Sequence, residues 1–321
     1  MRARLLRGDD LAALVLAKLA LDLVLLVLFI VNDRGQDARI RTIVGDVAAL
    51  ALLFYAQGFA HAFVTRELVS VLVAVNIVLG AVVGLYNAGV LQKRFIADSL
   101  SAANALCGAL SIWFATQQRP DACVLLLVVG AGFDGLDGAA ARRWGGTRFG
   151  VYSDDLADAI NYAVAPGVAI ACTLSGVEGT VVGVAYSALT IARLVFFTLN
   201  KSTGADPRYF AGVPSTIGGM VALCALILFP DRHAIVGLLV GVAVVLMVSF
   251  DTAYRHLGRV ILGGPRARML LAFAAGTVVI AGGFALGPRV PVAVVLALAL
   301  VYGFLPQLLR FRALLAARAT R

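Results

Sequence analysis

Apolar runs of about 20 residues alternate with short polar breaks along almost the whole chain, and a helix of that length crosses a bilayer core. Three such runs precede residue 97, at Leu11–Val31, Ile43–Phe63 and Leu68–Leu91. Eight follow, at Leu100–Gln117, Asp121–Ala141, Asp155–Leu174, Thr180–Leu199, Val213–Phe229, His233–Phe250, Met269–Leu286 and Val290–Leu309. The pattern predicts an all-α polytopic integral membrane bundle of about 11 transmembrane helices. It divides into an N-terminal transmembrane extension over 1–96, a core over 97–262, and C-terminal helices with a basic tail over 263–321. No small-residue cleavage site follows Leu11–Val31, so that run reads as a retained helix. Pro166 lies inside Asp155–Leu174 and predicts a kink about one turn beyond Asp158.

Composition agrees with a membrane protein. The 321 residues are 61% hydrophobic and 14% charged, with a mean hydropathy of +0.94, whereas a soluble domain is nearer half apolar and a quarter charged. The net charge of +9 could suggest nucleic acid, but no basic run with interleaved aromatics supports that. It follows the loops instead: Lys93, Arg94, Arg142, Arg143, Arg148, Lys201 and Arg208, with the basic C-terminal residues, fall on one side of the bundle. Arg119, Arg232 and Arg289 are alone on the other. The first side is expected to be cytoplasmic. Three spans before Lys93 then put residue 1 outside, although Arg2, Arg4 and Arg7 favour the inside. Four cysteines (Cys107, Cys123, Cys172, Cys224) occur singly in apolar runs and read as small core residues. Within the extension, Lys18 and Asp22 are spaced as an intrahelical pair, and His61 reads as a hydrogen-bonded core residue.

One stretch does not fit a plain bundle. Asp134, Asp137, Gly138, Ala141 and Arg142 fall at i, i+3, i+4, i+7 and i+8, on one helical face. Asp154 and Asp158 are one turn apart on the next helix, beyond the glycine-rich turn Trp144–Gly150. A single DxxD is usually a solvated acidic turn. Four carboxylates facing each other beside a membrane repel strongly unless they are protonated or held by a divalent cation.

The spacing D-x2-D-G-x2-A-R-x7-G-x3-D-x3-D from Asp134 to Asp158 resembles the motif of the CDP-alcohol phosphotransferases. The resemblance implies that Asp134, Asp137, Asp154 and Asp158 hold Mg²⁺ or Mn²⁺, in a two-metal site, and that Asp158 takes the proton of the attacking hydroxyl. It implies further that Gly138, Ala141, Arg142 and Gly150 receive the CDP-lipid. Asp155 is extra to the motif and reads as structural. The segments Gly150–Pro166, Ser101–Gly108, Ile191–Leu194, Phe210–Ser215 and Leu246–Ser249 are similar to the phosphatidylserine synthase branch. Departures occur at Asn161-Tyr162-Ala163, Leu194-Val195 and Thr216.

That branch implies transfer of a phosphatidyl or archaetidyl group from CDP-diacylglycerol or CDP-archaeol to the hydroxyl of serine, releasing CMP. The enzyme would be a homodimer in the cytoplasmic membrane, with its site facing the cytoplasm and membrane lipids around it. Arg193, Lys201, Pro214 and Ser215 are the expected acceptor-binding residues. The alternatives are another acceptor (glycerol phosphate, inositol phosphate or choline) and, in a different class, a transporter whose intramembrane aspartates relay ions.

Overall fold

The computed structural model describes residues 88–200, 209–256 and 289–319, with isolated positions at 18, 21, 77–78, 80–82, 84–86, 271, 275 and 286–287. The three N-terminal spans and Met269–Leu286 therefore lie outside the described residues, apart from those positions. The chain divides into two compact units, Met1–Asn104 with Gly132–Asp154, and Ala105–Ala131 with Asp155–Arg321.

Helix follows helix with short turns. After a single 3₁₀ turn at Lys93–Phe95, α1 spans Ile96–Thr116 and α2 spans Pro120–Trp144. Proline opens α2 at a position where a missing N–H costs nothing, and Arg119 grips Asp121 of its first turn through two bonds of 3.0 and 2.9 Å. Then come α3 (Gly150–Asp158), a π-helical segment (Ala159–Val164), α4 (Ala165–Leu174) and α5 (Gly176–Asn200). Two shorter helices, α6 (Ser215–Leu228) and α7 (His233–Val248), precede the long α8 (Arg289–Ala319).

Five described runs are long and apolar enough to cross a membrane: Lys93–Thr116, Pro120–Trp144, Gly150–Leu174, Gly176–Leu199 and Arg289–Arg312. The protein is an all-α polytopic membrane protein, as the hydropathy pattern predicts. Its large exposed side chains fit a lipid-facing surface: Val177, Val181 and Val184 on α5, and Leu298, Val301, Phe304 and Leu308 on α8.

In the second unit, α4 and α5 form a hairpin around the turn at Ser175 and Gly176. Apolar burial gives little drive between helices in lipid, so close backbone approach does the work. Gly167 of α4 and Gly183 of α5 supply it: a Cβ on either would strike the backbone carbonyl of the other.

Pro166 disturbs the chain upstream of itself. It cannot donate to the turn before it and its ring crowds that turn's carbonyl. The helix responds by widening into the π segment directly after Asp158. The freed carbonyls are taken up from α5: the Tyr186 hydroxyl donates to Tyr162 at 3.0 Å and the Ser187 hydroxyl to Ala163 at 3.0 Å.

The hydropathy pattern gives no hint of one feature, a two-stranded antiparallel ribbon. Strand β1 (Tyr209–Ala211) pairs with β2 (Ala253–Arg255), Phe210 opposite Tyr254. The ribbon anchors α8. The Tyr254 hydroxyl donates to the Gly303 carbonyl and the Tyr302 hydroxyl to the Arg255 carbonyl, each at 2.8 Å. Lower in the same unit, Val221 and Cys224 of α6, Ala243 of α7, and Leu296 and Ala299 of α8 form a buried apolar cluster. All four cysteines are unpaired thiols, and three are buried.

Candidate active site

The first unit contains Asp134, Asp137 and Asp154. On α2, Asp137 is buried at 4% exposure and Asp134 is half-buried. A carboxylate oxygen of Asp134 lies within 4.8 Å of one of Asp154 on α3. Two negative charges at about that separation repel by some 3–4 kcal/mol at an effective dielectric near 20.

The turn between the two helices makes this approach possible. Gly145 ends α2 with φ +80°, a left-handed conformation that suits glycine. The Thr147 hydroxyl oxygen then accepts the Phe149 N–H at 3.3 Å while its proton goes to Asp98 of α1 at 2.7 Å. Gly150 must pass close to that carboxylate, since an added Cβ would stand 3.0 Å from Asp98 Oδ1. Arg142 folds back over Gly138, where a Cβ would be 3.2 Å from its Nη1. Its guanidinium attracts the Asp137 carboxylate, and Ala141 is half-buried on the same helix.

Asp137 is held by a residue to which the sequence reading assigned no role. The Ser101 hydroxyl of α1 donates to Asp137 Oδ2 at 2.5 Å, and both residues are buried. Asp98, Ser101 and Thr147 are the polar residues overlooked. The available signal was a set of polar side chains, Asp98, Ser99, Ser101 and Asn104, in the first half of a helix that is otherwise apolar there, with Asp98 and Ser101 three apart on one face.

In the second unit, Asp158 ends α3 one turn beyond Asp154 and is half-buried. It attracts the Arg193 guanidinium of α5. Arg193 is only 4% exposed, stacks over the Phe197 ring at 4.6 Å, and has no hydrogen-bond partner for its Nε among the described residues. Asp155 accepts a 2.8 Å bond from Thr198, which gives it a structural role. Pro214 and Ser215 sit at the start of α6, Ser215 buried. Lys201 and Arg208 lie outside the described residues.

Asp134 and Asp154 are hard oxygen donors with no histidine or cysteine beside them in the group. Such donors suit Mg²⁺ or Mn²⁺ and not a zinc site.

The family model described as CDP-alcohol phosphatidyltransferase matches residues 94–249. A CDP-diacylglycerol–serine O-phosphatidyltransferase of Helicobacter pylori (strain J99) is 30% identical over 165 residues, 49% of this chain and 69% of that protein. The chain belongs to the CDP-alcohol phosphatidyltransferase family. Proteins of the same name from Mycobacterium leprae and from Helicobacter pylori (strain 26695) are 32% identical over 142 residues and 35% over 133. These matches cover 42% and 40% of this chain, and 47% and 55% of those proteins. The chain thus spans about half the length of the mycobacterial relatives it matches. The family region begins just before α1 and ends just after α7, so it includes all four motif aspartates and leaves β2 and α8 outside.

Proposed function

We propose that the protein transfers the phosphatidyl (or archaetidyl) group of a CDP-activated lipid to the hydroxyl of serine, at a site on the cytoplasmic face of the membrane. The serine oxygen forms a bond to the phosphorus that carries the lipid. The bond from that phosphorus to the bridging oxygen breaks, CMP leaves, and the hydroxyl proton passes to the Asp158 carboxylate.

The observation that carries this reading is the approach of Asp134 and Asp154 to within 4.8 Å in a motif of this family. Asp134, Asp137, Asp154 and Asp158 would hold Mg²⁺ or Mn²⁺. When bound, the cation offsets the charge of the pyrophosphate and of the transition state. The residues do the rest. Gly138, Ala141 and Gly150 would let the nucleotide phosphates approach the backbone closely, and Arg142 offers them its exposed guanidinium.

Serine as acceptor rests on the named relatives and on Arg193. A guanidinium that is buried, with a ring beneath it and an Nε–H that meets no acceptor among the described residues, suits the single carboxylate of an amino acid.

The test is CMP release by purified protein with CDP-diacylglycerol and Mg²⁺ or Mn²⁺, scanning serine, glycerol 3-phosphate, inositol phosphate and choline. Release with serine alone is expected. Release only with another alcohol would overturn the acceptor and keep the reaction. No release with any of them, nor with CDP-archaeol, would overturn the reaction and favour a transporter.

A further inference from the structure

Within the first unit, α1 presents Asp98 and Ser101 three residues apart, on one face. Each reaches a residue far away in sequence: Ser101 bonds Asp137 across 36 positions and Asp98 receives Thr147 across 49. The first partner is a motif aspartate on α2, and the second is the turn that delivers Gly150 and Asp154. Both sides of the acidic hairpin are therefore tied to one face of one helix.

We propose that Ser101 is a positioning residue of the metal site, with Asp98 as its companion on the turn, a step that rests on the metal reading above. The Ser101 hydroxyl has one proton and two acceptors within reach, Asp137 Oδ2 at 2.5 Å and the Ala97 carbonyl at 3.3 Å. The shorter, charge-assisted bond takes it. That bond fixes how the Asp137 carboxylate is rotated in a buried place.

A merely structural serine would affect stability and little else. A positioning serine acts on cation affinity, and any side chain with a hydroxyl in its place restores it. The measurement is Mn²⁺ binding to the purified full-length chain, read from the free-Mn²⁺ electron paramagnetic resonance signal without substrate, alongside the Mn²⁺ dependence of CMP release. Ser101→Ala should weaken Mn²⁺ binding about 10–100-fold, the range for losing a partner of a metal ligand. Ser101→Thr should restore it.

If the alanine variant does not fold, Ser101→Cys keeps the volume with a weaker donor and should bind Mn²⁺ with intermediate affinity. Wild-type affinity in Ser101→Ala or Ser101→Cys would overturn the proposal and leave the metal reading standing. Threonine as weak as alanine would overturn it too, since the hydroxyl would not be the agent. A wild-type chain that binds no Mn²⁺ would overturn both.

Discussion

Asp158→Asn keeps the shape of the side chain and removes its basicity, so it separates proton transfer from binding. Turnover should fall at least about 10²-fold, the lower end of what a positioned base contributes, while CDP-lipid binding persists. Asp134→Asn should lose turnover and weaken Mn²⁺ binding as well. Activity in Asp158→Asn above about a tenth of wild type would rule that residue out as the base. Arg193→Leu tests the acceptor end. A lost charge-assisted bond is worth about 1.5–3 kcal/mol, so KM for serine should rise about 10–100-fold and KM for CDP-lipid should change little. Equal increases in both would sink the assignment, and a fall in kcat with both KM values unchanged would make Arg193 a partner of Asp158 alone.

At the scale of elements, the third span shows how one residue reshapes another's surroundings. Pro166 predicts a kink; what forms is a π segment over Ala159–Val164, next to Asp158. Its two freed carbonyls depend on Tyr186 and Ser187, so α5 is part of what holds the end of α3 in place. Tyr186→Phe leaves the Tyr162 carbonyl buried without that donor. The expected cost is about 1–3 kcal/mol, seen as a lower melting temperature in detergent. An unchanged melting temperature would mean that the carbonyl needs no donor from α5.

At the scale of the molecule, the proposed placement of the acidic hairpin on the cytoplasmic side is open to a labelling test. Phe149, 75% exposed in the turn between α2 and α3, is a convenient reporter in a chain whose half-buried Cys172 is replaced by serine, because Cys107, Cys123 and Cys224 are buried and add little background labelling. Phe149→Cys should react with a membrane-impermeant maleimide in inside-out vesicles and not in sealed right-side-out cells. Gln117→Cys, exposed beyond the other end of α2, should behave in the opposite way. Labelling of both from the same side would overturn the orientation.

The sequence alone determined the class of the molecule and the residues of its acidic motif, because both are local signals. A bilayer demands about 20 apolar residues in a row, and helical periodicity places Asp134 beside Asp137 and Asp154 beside Asp158 with no knowledge of the rest of the chain. Tertiary structure decided what those local signals could not contain. Ser101 meets Asp137, and Asp98 meets Thr147, across 36 and 49 positions. The ribbon pairs Phe210 with Tyr254, and its strands of three residues are too short to show an alternating pattern. Asp155 and Arg193 differ for the same reason. Both are charged residues on helices, and only packing shows that one is bonded to Thr198 while the other is buried over Phe197. Periodicity tells which face a side chain occupies; which partner meets that face depends on how distant segments pack.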